Sequence, residues 1–517
     1  MFVASDSSST KPMARVFVLG LAAILFTTGC GGGTTPSAPS GNAAPVETAA
    51  EPDPGTEPAE PEMIARALKP FTGDYDALLE RRVIRVLVPY TRTLYFVDDH
   101  GRERGAAHDS LVEFEKILNE QLGDKSRPIQ VLRIPVRRDQ LFEYLKSGRG
   151  DLALGNITIT PERQQLADFS SPILTNVREV VVTAAGEPPV ASANELAGRE
   201  VYVRKSSSYF THLSTLNEEL KGAGKPTIDI RTVDESLEDE DLLELVNAGA
   251  FPATVVDDHL AKLWLEVFTD ARLQPEAAVN AGGSIAWAIR KDCPKLTEVV
   301  NAFIASHAKG TAFGNMLMAK YFANAKWLKN STSEQEMAKL RATVELFQKY
   351  GKQYDFDWLM IAAQAYQESG IDQSVRSPVG AVGVMQVLPT TAAGNPININ
   401  DIDTNMENNI HAGVKYMRFM MDEYFKDAQM DDVNKCLFAF ASYNGGPAKI
   451  ARLRKEAEAR GLDPNKWFQN VELVVAQRIG RETVTYVKNI YKYYVAYKLV
   501  MERRTELDRI KKAAKTG

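Results

Sequence analysis

At 517 residues the chain is too long for one hydrophobic core and predicts about two to four domains. With 44% apolar and 25% charged residues it has an ordinary globular composition, so any disorder is local. A formal net charge of −6 argues against the basic face by which a nucleic-acid binder holds phosphates, and no nucleic-acid partner is expected.

Lys11 and Arg15 precede an apolar run over 16–26 and then Thr27-Thr28-Gly29-Cys30. Small residues before a cysteine suit a peptidase that leaves the cysteine as the new first residue for acylation, so 1–30 reads as a lipoprotein signal and Cys30 as the lipidation site. An ordinary cleaved signal with an unmodified Cys30 is the other reading. Gly31, rather than aspartate, favours the outer membrane with the body facing the periplasm. Residues 31–62 lack Lys and Arg and almost all large apolar side chains, so they predict a disordered tether. No later stretch is long and apolar enough to span a bilayer. Only Cys293 and Cys436 remain, in different halves, which predicts no disulfide framework.

From Arg82 onward strand and helix patterns alternate. VIRVLVPY, IQVLRIPV and DLALGNITIT read as strands around helical SLVEFEKILNEQL and DQLFEYLKSG; a second series runs from REVVVTAA through ATVVDD, and 284–290 returns to the first set. Alternation of this kind means βαβ units and a mostly parallel sheet. The expected domain, 63–328, is therefore an α/β module of two lobes with a hinge. Arg163 follows a strand end and can pair with a carboxylate through both guanidinium nitrogens. Asn156 and Thr158 lie two apart on one strand, and Ser207 and Ser208 precede a helix whose free N–H groups suit an anion. GRGDLALGNITITPERQQLADFSSPI and ELAGREVYVRKSSS resemble the family 3 solute-binding proteins, although Ser206 stands where a glycine is usual. The resemblance implies a zwitterionic ligand, an amino acid or muropeptide fragment, with Asp258 meeting its ammonium group.

Beyond NSTSEQE the pattern is almost wholly helical, and 329–517 is expected to be an all-α domain. Its candidate helices are 333–349, 357–369, 387–393, 407–427, 433–442, 447–460 and 481–503. The stretch 358–365 is apolar except for Gln364, as a buried central helix must be. Asp355 or Asp357 can cap its start, and Gly370 can end it. Glu368 falls in the last turn on the buried stripe, where desolvation and the helix dipole raise a carboxyl pKa toward that of a general acid.

QESG, RSPVGAVGVMQ, ASYNGG at 441–446 and ETVTYVKNI at 482–490 resemble, in the same order, the catalytic domain of soluble lytic murein transglycosylases, which has a lysozyme-like fold. The resemblance implies cleavage of peptidoglycan between N-acetylmuramic acid and N-acetylglucosamine, with Glu368 protonating the leaving oxygen. As a carboxylate, Glu368 then takes the proton from the muramic 6-hydroxyl, giving a 1,6-anhydro end. Ser377 is then a substrate ligand or an orienter of Glu368, Met385 and Gln386 line the cleft, and Tyr443 offers its hydroxyl to the intermediate. Asn444 and Gly445 make a turn, and Glu482 supplies a structural or orienting hydrogen bond, with a catalytic part as the other reading. Tyr486, Tyr491, Tyr493 and Tyr494 can stack on sugars, though helical core is the commoner use. No metal-ligand spacing is apparent around the six histidines, and no cofactor is expected. Three alternatives stay open: a catalytically silent wall receptor, a transport-type solute receptor, and a hydrolase using a second carboxylate, for which Asp372 is the near candidate.

Overall fold

The computed structural model describes residues 69–97, 102–123, 126–323 and 330–516; the signal, Cys30, the tether and the 324–329 linker lie outside the described residues. The first lobe opens with α1 (Tyr75–Arg81) and β1 (Val83–Val88), a fully buried run as expected of a strand covered on both faces. Its one charge, Arg85, is matched by Asp151. Nε and Nη2 donate to the two carboxylate oxygens at 3.0 and 2.7 Å, with both side chains fully buried. The lobe continues through α2 (Ala106–Leu122), β2 (Gln130–Pro135), α3 (Leu141–Lys146), β3 (Leu152–Thr158) and α4 (Pro161–Leu166). Crossing by β4 (Leu174–Ala184), the chain builds the second lobe from β5 (Glu200–Arg204), α5 (Ser208–Gly222), β6 (Asp229–Val233), α6 (Asp239–Asn247), β7 (Ala253–Asp257) and α7 (Asp258–Trp264). It returns along β8 (Ala271–Ile289) to α8 (Pro294–His307) and α9 (Ala312–Tyr321).

The strand order is β2-β1-β3-β8-β4-β7-β5-β6, with the short strand Asp168–Phe169 paired to β8. β1 runs parallel to β2 and β3, and β5 parallel to β6 and β7, as alternation demands. The crossing strands depart from the expectation, because β8 is antiparallel to both β3 and β4. Sequence marked only its end at 284–290. The preceding RLQPEAAVNAGG holds Pro275 and two glycines, poor strand formers, and its pairing with β4 shifts register repeatedly.

The helical domain contains α10 (Glu334–Tyr354), α11 (Trp358–Ser369), α12 (Pro389–Ala393), α13 (Met406–Tyr424), α14 (Asp432–Gly445), α15 (Pro447–Ala459), α16 (Glu472–Ile479) and α17 (Glu482–Thr516). All candidates recur with shifted ends. α16 was not anticipated, since ELVVAQRI is short and its apolar residues are consecutive rather than helically spaced. Buried apolar residues of the second lobe and the helical domain form one connected cluster, whereas the first lobe keeps cores of its own.

Candidate active site

α11 is the buried rod expected of its sequence. The Asp357 side chain accepts from the N–H of Leu359 at its start, and Gly370, at φ 67°, ends it in the left-handed conformation that glycine adopts at little cost. Residues 360–365 are buried on every side, including Gln364. Two turns of such a rod carry Glu368, which is partly buried. Burial pushes its carboxyl up to about 7, against the opposing effect of a hydrogen bond that its Oε1 accepts from the Tyr486 hydroxyl. Gln364 Nε2 in turn donates to that hydroxyl at 3.2 Å, so one face of α11 sets both the acid and the group that orients it. Tyr443 also feels the charge of Glu368, and burial holds its hydroxyl fully protonated. Among the described residues no other carboxylate shifts the titration of Glu368. Asp372, the near candidate, accepts instead from the N–H and hydroxyl of Ser374, closing a turn.

The loop after α11 is held by residues that the sequence did not single out. Asn409, fully buried on α13, donates to the carbonyls of Val382 and Ile402 at 2.8 and 3.0 Å, and its Oδ1 accepts from Met385 N at 2.8 Å. Gly383, at φ 75°, permits this approach: a Cβ there would lie 2.4 Å from Asn409 Nδ2. Against this frame several expected roles change. Met385 is fully buried beside Gly413, so it is core; what it presents is its carbonyl, which accepts from Tyr443 at 2.8 Å. The Ser377 hydroxyl accepts from Ala381 N at 2.9 Å, so the bond orienting Glu368 comes from Tyr486 and not from Ser377. Gln386 donates to the carbonyls of Val375 and Gly383, tying the loop to itself. Asn444 belongs to α14, with the turn falling at Gly446, and its Oδ1 accepts from Thr483 at 2.7 Å. Glu482 is exposed in the first turn of α17 and makes no hydrogen bond among the described residues; it suits the helix dipole there and orients nothing. An asparagine on the apolar stripe of an amphipathic helix, in line with Gly413, Met417 and Met420, was the signal that could have found Asn409.

The two lobes meet across a closed cleft. Arg163 directs its guanidinium at main-chain carbonyls of both lobes, Thr158 at 2.9 Å and Ser206 at 3.0 Å, and burial depresses its pKa to about 10. Ser207 caps α5, accepting from Phe210 N, while Ser208 donates to Glu179 at 2.7 Å and lies 3.4 Å from the hydroxyl of Thr158. Asn156, at φ 60°, leaves the strand pattern and donates to Asp257 at 2.6 Å across the lobe boundary. Asp258 is not in the cleft; it pairs with Lys262 one turn along α7 at 2.8 Å. Successive strand residues face opposite sides, so the carboxylate at the end of β7 that turns inward is Asp257, which burial pushes well above the usual range. Arg138 and Arg204, also missed, pair with Glu238 and Asp239 at 2.5 Å each. The cavity left among these groups is about 30 Å³, room for a water or two. Among the described residues no group of three His, Cys, Asp or Glu side chains could hold a metal ion.

Two family models match the chain: bacterial extracellular solute-binding proteins, family 3, over residues 84–324, and the transglycosylase SLT domain over 345–466. A membrane-bound lytic murein transglycosylase F from Desulfosudis oleivorans is 30% identical over 373 residues, covering 69% of this chain and 79% of the relative. The chain belongs to the membrane-bound lytic murein transglycosylase F family. A member from Pseudomonas fluorescens strain Pf-5 is 26% identical over 461 residues, 86% of this chain and 90% of the relative. Among solved structures the chain is similar to an ancestral arginine-binding protein bound to arginine, at 22% identity with a TM-score of 0.38, over 46% of this chain and 98% of that one. It is also similar to a solute receptor for L-cysteine of Neisseria gonorrhoeae, at 22% identity with a TM-score of 0.40, over 48% of this chain and 93% of that one.

In this lytic transglycosylase the solute-binding module and the SLT domain meet along α17. Arg481, just before it, binds Glu103 at 2.6 Å, the Tyr95 hydroxyl and the Arg133 carbonyl of the first lobe. Thr485 donates to the Tyr90 hydroxyl at 3.1 Å, and Lys492 pairs with Asp241 of α6 at 2.9 Å. Tyr486, the partner of Glu368, lies between them on the same helix. α6 also faces the cleft, because Asp239 at its first turn holds Arg204. No helix among the described residues is long and apolar enough to cross a membrane.

Proposed function

We propose that the chain cleaves the bond between N-acetylmuramic acid and N-acetylglucosamine in peptidoglycan without water, leaving a 1,6-anhydro end, with Glu368 as both acid and base. The observation that carries this reading is a single carboxyl on a buried helix, raised to about 7 by desolvation, oriented by a tyrosine and shifted by no second carboxylate among the described residues. Retaining and inverting glycosidases use a pair of carboxylates. With one, the nucleophile must come from the substrate. Protonated, Glu368 donates to the leaving oxygen; ionised, it is the base that receives the proton of the attacking 6-hydroxyl, and a pKa near 7 serves both half-steps. Tyr443 and Ser377 are the polar groups nearest in sequence motif and role for contacting sugar.

The solute-binding module is the sensing part in this reading. A zwitterionic amino acid or muropeptide held by Arg163, Asn156, Thr158 and Ser208, with Asp257 toward its ammonium, has to displace the protein's own cross-lobe bonds. That changes the seating of α6 and, through Asp241 and Lys492, of α17, which carries Tyr486. Such coupling requires the ligand to bind one arrangement better than the other. Lipidation at Cys30 with attachment to the outer membrane, facing the periplasm, completes the reading and rests on the signal sequence alone.

The test is to incubate purified murein with the full chain and with Glu368→Gln and to weigh the released fragments. Fragments one water lighter than hydrolysed sugars, absent with the variant, are expected; fragments with ordinary reducing ends overturn the anhydro reading.

A further inference from the structure

A second cavity, of about 90 Å³, lies where both lobes and the helical domain come together, outside the Glu368 site and the lobe cleft. Its walls are aromatic from both modules: Tyr90 and Tyr144 of the first lobe, Phe468 and Tyr491 of the helical domain. Four charged groups line it, Lys488 on α17 and Glu472 on α16, with Arg137 and Asp234 at the rim. Lys488 is the unusual one. It is only 7% exposed, yet among the described residues its ammonium makes no hydrogen bond and no ion pair; the Tyr90 ring face lies 4.6 Å from Nζ, and the charges of Glu238, Glu472 and Asp241 reach it from further off. Its neighbour one turn on, Lys492, shows what the fold does with a structural lysine, pairing it with Asp241 at 2.9 Å. The rim charges are likewise matched, Arg137 by Asp139 and Asp234 by Ser236. Glu472 accepts from the N–H of Gln469 at 2.5 Å.

An ammonium on a buried side chain with no acceptor in hydrogen-bond reach calls for one, since a ring face and the more distant charges of Glu472, Glu238 and Asp241 leave its N–H donors unsatisfied. At about 90 Å³ the cavity seats only part of an amino-acid-sized body, with the remainder at its open mouth, and rings from both modules favour an apolar or flat one. We propose that this junction is a second ligand site, which takes a small carboxylate carried on an apolar body, the carboxylate on Lys488 and the body between the aromatic rings. Glu472 offers an acceptor to an N–H or O–H of the same molecule. Burial lowers Lys488 only to about 8, so it stays cationic at neutral pH. Because the site is built from both lobes and from α17, its occupant ties the three bodies together on the helix that orients Glu368. The carboxylate can belong to a free acyl amino acid or to the end of a peptide borne on a murein fragment.

The experiment is binding of phenylacetate to the full chain by ligand-observed NMR, so its result stands apart from whether Glu368 is the acid. Phenylacetate is expected to bind, phenylacetamide at least tenfold more weakly. Lys488→Met should weaken phenylacetate at least tenfold, and Arg163→Met, in the lobe cleft, should leave it unchanged. Ala476→Met, which fills the apolar wall without altering a charge, is expected to abolish binding and decides the matter if Lys488→Met does not fold. Displacement by N-acetylalanine alone assigns a free acid as the source, and displacement by peptide-bearing murein fragments assigns the peptide end. Binding that survives Ala476→Met, binding lost in Arg163→Met, or displacement by neither source overturns the proposal.

Discussion

The hydrogen bond from Tyr486 to Glu368 fixes the pH at which the enzyme loses its acid. Tyr486→Phe removes the donor, keeps the ring in its place on α17, and leaves burial as the remaining influence on the carboxyl. A hydrogen bond to a charged group is worth about 1.5–3 kcal/mol, and about 1.4 kcal/mol is one pKa unit. Glu368 should therefore rise from about 7 to roughly 8 or 9. Since the first half-step needs the protonated acid, the alkaline limb of kcat/KM on murein should move up by about one to two units. Turnover should fall at every pH, because the acid is no longer held in one orientation. Tyr443→Phe is the control: its hydroxyl donates to the Met385 carbonyl, so that variant should lose activity without moving the limb. An unshifted or lowered limb in Tyr486→Phe, with melting unchanged, refutes the assignment of Tyr486 as the orienting donor.

Glu368 also leaves a mark on stability. Its folded pKa, about 7, lies above the ordinary 4.5, so the folded state holds a proton that the unfolded chain releases, and stability is lost as pH rises from about 4.5 to about 7. Glu368→Gln should thus melt higher than the parent at pH 8, by at most about 3 kcal/mol, with the gap closing at pH 4; no pH dependence of the gap would mean that the carboxyl is not desolvated. Asp151→Ala strands the buried Arg85 guanidinium and should cost about 3–5 kcal/mol in urea unfolding of the solute-binding module. Gly383→Ala forces a left-handed residue against Asn409 and should cost about 1–3 kcal/mol, with activity falling more than melting temperature.

Much of the Glu368 site was legible because its determinants are local. An apolar run, an aspartate before it and a glycine after it specify α11 and place Glu368 in its last turn, and the structure has those ends. The partner was not legible, since Tyr486 lies 118 residues away and nothing in ETVTYVKNI distinguishes a tyrosine that faces an acid from one that faces core. Met385 failed for the related reason that an apolar residue in a site motif gives no sign of which way it points. The choice of Asp258 over Asp257 was a question of strand parity. At the end of ATVVDD, one position decides which face of β7 carries the carboxylate, and only the pairing of that strand settles it. The joint core of the second lobe and the helical domain was invisible for the same reason as Tyr486, being made by contacts between segments far apart in sequence.

The central claim is that one carboxyl acts with a nucleophile from the substrate and without water. The most direct measurement is digestion of murein in ¹⁸O-labelled water with the parent and Glu368→Gln, reading label in the new muramic ends by mass spectrometry. Unlabelled ends from the parent and no ends from the variant are expected. Ends that carry ¹⁸O from the start of the reaction would contradict the account and require a second carboxylate acting with Glu368.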